Sequence, residues 1–136
     1  MAGTIVADDL QHSTAGSVGT EYVVNGSAKN WINLKGTSTI SSRASLNVSS
    51  ISDIGTGTYQ VNMSSSMSDN AYIFTGVSQN YSDTTARGHG GWHPYPYTTL
   101  TTSAYVTKTI YGNYNAGDAT VYDTERMFSV VHGDLA

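Results

Sequence analysis

Residues 53–63 read Asp53-Ile54-Gly55-Thr56-Gly57-Thr58-Tyr59-Gln60-Val61-Asn62-Met63. The first half is turn chemistry: glycines accept positive φ without steric cost, and an Asp bonds back to backbone two residues on. The second half alternates apolar Tyr59, Val61 and Met63 with polar Gln60 and Asn62, the period of a strand with one buried face. Upstream, Leu46 to Ile51 reads as a strand with Leu46 and Val48 on one parity and Ile51 on the other, which predicts a bulge near Ser49-Ser50. Lys29 to Leu34 sets Ile32 and Leu34 against Trp31 and Asn33 and stops at Gly36, with a short strand expected over Thr37 to Ser41. Thr20 to Val24 reads as extended, leading into Asn25-Gly26, a dipeptide of type I′ hairpin turns. Downstream, Ser64 to Asn70 is a polar connection, and Ala71 to Val77 carries Tyr72 and Phe74 on one face and Ile73 on the other. Thr99 to Tyr111 and Ala119 to Val131 read as two long strands joined by a loop at 112–118. Strands at this spacing predict an all-β fold: an antiparallel β-sandwich or jelly-roll-like domain over residues 20–136.

Composition agrees. Ser and Thr number 18 each among 136 residues, there are 10 Tyr but only 2 Phe and 2 Trp, and charged residues make up 12%. Val, Ile, Thr, Tyr, Phe and Trp total 50, against 31 for the strong helix formers Ala, Leu, Glu, Lys, Gln, Arg and Met. The first set suits pleated, half-buried surfaces and the second suits helices. A helical bundle or doubly wound α/β enzyme is therefore not expected. Six Lys and Arg with a net charge of −4 argue against nucleic acid as a partner, because phosphate binding needs clustered cations. The chain has no Cys, so neither a disulfide framework nor a thiolate nucleophile or metal site is expected. No apolar run approaches the ~20 residues of a membrane span, so no membrane insertion is expected. The opening residues lack the basic and apolar regions of a secretory signal. Without such a signal, the Asn-x-Ser sequons at Asn25, Asn47, Asn62 and Asn80 predict no glycans.

Two stretches stand apart from the strand pattern. Residues 1–19 are polar and loosely patterned, with a short strand plausible at Thr4 to Ala7 and with Gly16 and Gly19 opposing a long helix. Such an extended N-terminal arm builds no core of its own. Its apolar pair, Ile5 and Val6, would be wasted in a free tail, so it is expected to dock on a neighbour. Residues 78–98 form a long irregular stretch with both prolines and the run Trp92-His93-Pro94-Tyr95-Pro96-Tyr97. Loops of that length in a small domain are usually functional or disordered.

The run Trp31-Ile32-Asn33-Leu34-Lys35-Gly36-Thr37, with Ser45-Leu46-Asn47-Val48-Ser49-Ser50-Ile51, the 53–61 hairpin and Asn70-Ala71-Tyr72, resembles a C-terminal β-domain common in tail-fibre and other virion proteins of bacteriophages, notably marine ones. The end, Asp123 to Asp134, is similar to that family's Val-rich closing strand. The resemblance covers about residues 28–77 and 119–134; residues 78–98 have no counterpart in it. It implies a non-enzymatic structural protein of the phage particle, made in the host cytoplasm, assembled as a homotrimer and attached to other virion proteins. A tail fibre is the first expectation. A capsid decoration or head-fibre protein, or a carbohydrate-binding host-recognition module, are the alternatives.

Candidate chemistry is sparse. His89 and His93 would need further ligands to hold a metal, and His12 and His132 lie far off in sequence, so no metal or other cofactor is expected. Asp8 and Asp9 point to opposite faces of a strand. Asp123 and Glu125 share a parity of the predicted last strand, and paired carboxylates serve glycoside hydrolysis, but no cluster of acids and aromatics marks a cleft. There is no Gly-x-Ser-x-Gly nucleophile elbow, and the 88–91 glycines lack the Lys of a phosphate loop. Alternation places Tyr95 and Tyr97 on one side. With Trp92 they are the candidate residues for contact with a partner or a host-surface glycan, since aromatic faces anchor interfaces and stack on sugars. The plainer alternative is that Trp92 plugs the edge of the domain's own core.

Overall fold

The computed structural model describes residues 3–79, 91–94, 100–112 and 119–136. In chain order its elements are β1 (Asp9–His12), β2 (Gly16–Gly19), α1 (Thr20–Gly26), β3 (Ala28–Lys35), β4 (Ser41–Leu46), β5 (Val48–Gly55), β6 (Thr58–Met63), β7 (Ile73–Gln79), β8 (Gly91–Pro94), β9 (Ala104–Gly112), β10 (Ala119–Val121) and β11 (Arg126–His132). All pairings between these strands are antiparallel. The protein is all-β, with α1 the one short helix among the described residues.

β1 and β2 form a hairpin of their own, and the other nine strands make one sheet in the order β4-β3-β11-β7-β8-β9-β6-β5, with β10 beside β9. The sheet doubles over where β7 meets β8, whose described residues pair at Val77–Gly91. One leaf is β4-β3-β11-β7 and the other β8-β9-β6-β5. Their inner faces meet in a core of Ile32, Leu34, Met127 and Val131 from the first leaf and Tyr59, Val61, Met63 and Tyr105 from the second, closed by Met67 and Tyr72. This is the sandwich that the alternation predicts. Each such side chain, fully buried, contributes ~1.5–3 kcal/mol.

Polar side chains cross the sandwich as well. The Tyr105 hydroxyl donates to Asn30 Oδ1 at 2.8 Å and lies 3.0 Å from Ser129 Oγ. With its one proton committed to Asn30, it accepts from the Ser129 hydroxyl. The two leaves are therefore locked in register by a buried, satisfied network as well as by apolar packing.

Several local expectations change. Thr20 to Gly26, read as strand and turn, is α1. Its first residue is tied down: Thr20 donates its N–H to the Asp8 carbonyl and its hydroxyl to the Ala7 carbonyl, at 2.8 and 2.6 Å. Residues 4–7 form no strand, and neither do residues 37–40. Leu46 to Ile51 is broken at Asn47, whose φ of 56° turns the corner between β4 and β5. The bulge expected near Ser49-Ser50 is present, as a register shift between Val48 and Ser50. The predicted strand from 119 to 131 is two strands, β10 and β11, separated by residues 122–125. Gly91 to Pro94, read as irregular, is β8.

Candidate functional site

The Asp123–Glu125 pair is the most enzyme-like constellation in the sequence, and both side chains are engaged in holding loops. Asp123 Oδ1 accepts from the Gly57 N–H and the Tyr59 hydroxyl, each at 2.7 Å. Glu125 accepts from the Thr37 hydroxyl and forms an ion pair with Arg43. The Thr37 hydrogen bond and, secondarily, Arg43 hold the Glu125 carboxyl below the usual carboxylate range. With the intervening segment outside any strand, the two acids do not share a strand face as the alternation implied.

Of the histidines, the two whose side chains are described, His12 and His132, make separate local contacts. The unprotonated Nδ1 of His12 accepts from the Ala15 N–H at 3.1 Å within its own hairpin. His132 Nδ1 lies 3.1 Å from the Gly26 carbonyl, which it reaches as a donor. His89 lies outside the described residues, and no group of three metal-ligating side chains occurs among the described ones.

Of the aromatic candidates, Trp92 lies on β8 at the register position opposite Thr109 of β9. Tyr95 and Tyr97 lie outside the described residues.

Ile5 and Val6 are 90% and 92% exposed. They belong to a larger apolar surface than the sequence singled out. Leu10 on β1 and Val23 and Val24 on α1 are also exposed, and with Ile5, Val6 and Ala7 they line an open groove of about 410 Å³. From residue 3 to residue 27 no residue is buried. Among the described residues, the bonds from this segment to the body of the domain are at its base, where Lys29 Nζ donates to the Val24 carbonyl and the Ser27 hydroxyl and His132 reaches Gly26.

No family model matches the chain, and the searches of curated proteins and of solved structures each return no match.

A second apolar surface escaped the sequence reading. On the outer face of the β4-β3-β11-β7 leaf, Leu46, Trp31, Val130 and Thr75 lie in one row across the four strands. Ala44, Asn33, Phe128 and Val77 lie in the next. Trp31, Leu46, Val77 and, at the edge, Ile73 are exposed. A shallow depression of about 320 Å³ lies between β7 and β11, floored by Thr75, Val77, Phe128 and Val130. The signal was present. Trp31, Ile73, Phe128 and Val130 all sit on the parity opposite the core residues of their strands. A large apolar residue on the solvent parity of three neighbouring strands marks a contact surface.

Proposed function

We propose that this chain is a non-enzymatic structural component of a bacteriophage virion: a tail fibre or fibre-like protein, assembled as a homotrimer and attached through its N-terminal segment. The observation that carries the reading is the segment at residues 3–27. It leaves Ile5, Val6, Leu10, Val23 and Val24 in solvent, off the domain's core. An exposed apolar groove of that kind is what a docking segment presents before it meets its partner. The resemblance of the strand-and-turn pattern at 28–77 and 119–134 to a phage fibre β-domain supplies the context. The polar, Ser- and Thr-rich strands and low charge fit a protein whose faces meet other subunits, since burying charge is costly.

The test is localisation. Particles purified from infected cells are probed with antibody against the β-domain, and copies per particle are counted by quantitative mass spectrometry. Three copies, or a small multiple of three, at the tail are expected. Hundreds of copies spread over the head would replace the fibre reading with capsid decoration. Absence from particles would overturn both. For the carbohydrate-binding alternative, a glycan array with the intact chain and with Trp92→Ala and Tyr97→Ala decides. Binding that both substitutions abolish would favour it.

A further inference from the structure

We infer that the outer face of the β4-β3-β11-β7 leaf is the receptor for the N-terminal segment of a second copy of this chain. The inference deepens the docking reading above by naming what the segment docks on.

Both surfaces are apolar and both are uncovered. The segment offers Ile5, Val6 and Leu10, while the leaf offers Trp31, Leu46 and Val77. Charge selects between them and other possible partners. Residues 1–27 carry Asp8, Asp9 and Glu21 and neither Lys nor Arg. The four strands of the leaf carry Lys29, Lys35, Arg43 and Arg126 and neither Asp nor Glu. Four of the chain's six Lys and Arg thus lie on the leaf that has the apolar outer face. Lys35 shares the outward parity of Trp31 on β3, and Arg126 that of Phe128 and Val130 on β11, while Lys29 sits at the β3–β11 bulge with its amine on the Val24 carbonyl and the Ser27 hydroxyl. Glu125, the nearest acid in sequence, is paired with Arg43 at the rim. An acidic, apolar segment and a basic, apolar face on the same chain are complementary in potential, which steers association and suppresses wrong partners.

The segment does not lie on its own leaf. Trp31 remains 37% exposed and Val77 48% exposed, and the segment is pinned at its base to Lys29 and His132 in a pose that leaves the face open. Contact between a segment on one copy and a face on the next is heterologous, and such contacts close into rings when the rotation between copies permits. A trimer is such a ring.

The absence of Cys makes the test clean. Two purified intact variants, Val6→Cys and Val77→Cys, are mixed and mildly oxidised. The disulfide-linked heterodimer is expected to dominate over both homodimers, and 0.5 M salt is expected to reduce its yield severalfold, by screening. In parallel, sedimentation equilibrium of the unmodified chain is expected to show self-association. Ile5→Asp with Val6→Asp, which touches no core residue, is expected to abolish that association with an unchanged circular dichroism spectrum. A chain monomeric at all concentrations, or linked products in the statistical proportions of random collision, would overturn the inference. So would a Val6→Cys/Val77→Cys double variant that closes on itself to give a linked monomer, because that result places the segment on its own leaf. None of these outcomes depends on where the protein sits in a particle.

Discussion

Tyr59 and Asp123 show how a carboxylate in this fold serves structure. Tyr59 is fully buried on β6, yet its hydroxyl reaches Asp123 at the rim, and the Gly57 N–H reaches the same oxygen. A hydrogen bond to a charged acceptor contributes about 1.5–3 kcal/mol. Tyr59→Phe is expected to lower stability by about that amount, and Asp123→Ala by more, because the Gly57 turn N–H loses its acceptor as well, while the Tyr59 hydroxyl keeps the Gly36 carbonyl at 3.2 Å. Urea unfolding of the two variants measures the order, and equal losses would mean that Gly57 finds another partner. The tyrosines also set an alkaline limit. Burial pushes the Tyr72 hydroxyl up to about 12 from an ordinary 10.0. Burial raises Tyr59 further, with Asp123 adding to it, and burial raises Tyr105 as well. The folded state therefore keeps protons that the unfolded chain releases. Stability is complete below the unfolded value of 10.0 and falls as pH climbs toward about 12. Tyrosinate absorbance is expected to rise in two phases, with the second coinciding with loss of the β-sheet circular dichroism signal.

At the scale of elements, two turns carry most of the constraint. Gly57 has φ 59° at the β5–β6 turn, and a Cβ there would stand 2.5 Å from Thr109 Oγ1 and 2.6 Å from the Tyr122 carbonyl. Gly57→Ala meets both a left-handed backbone and a backbone atom that cannot move aside, so a loss of about 2–4 kcal/mol is expected in chemical denaturation. Asn47 turns the β4–β5 corner, also left-handed, and its side chain bonds Lys29 and Ser65. Asn47→Ala is expected to be worse than Asn47→Gly by about 1 kcal/mol, because glycine loses the side-chain bonds but relieves the backbone. Equal destabilisation would assign all of Asn47's role to its hydrogen bonds. These elements also show what the sequence could and could not reveal. Strand β6 is legible because Tyr59, Val61 and Met63 face a core while Gln60 and Asn62 do not, so period and burial coincide. Strand β5 is blurred by its bulge, and the left-handed Asn47 interrupts what reads as one strand. Helix α1 is not legible at all. Its residues Tyr22, Val23 and Val24 favour strands by propensity, and a tie from Thr20 to Ala7 and Asp8, distant in sequence, holds its start. The candidate site divides likewise. Ile5 and Val6 stand out as apolar residues with no local partner, whereas the outer-leaf surface exists only once β4, β3, β11 and β7 are placed side by side.

For the whole molecule, the separation between core and segment has a thermodynamic consequence. Among the described residues every buried side chain comes from residue 30 onward, and residues 3–18 contribute none. Removing them deletes the β1–β2 hairpin and the tie between Thr20 and Asp8, but no packing between the leaves. A chain lacking residues 1–18 is therefore expected to unfold with a Tm within about 3 °C of the intact protein when both are monomeric, since one kcal/mol shifts a domain of this size by only a few degrees. At concentrations where the intact chain self-associates, the gap is expected to widen with concentration. Mass action stabilises whatever binds only the folded state, and the truncated chain has lost the segment that binds. Scanning calorimetry of both chains over a hundredfold range of concentration separates the two contributions. A Tm difference that is large at the lowest concentration would show that the segment belongs to the domain's own fold. A gap that stays small and constant would remove the segment's role in assembly. A gap that opens with concentration ties the apolar surface of residues 3–18 to other copies of the chain.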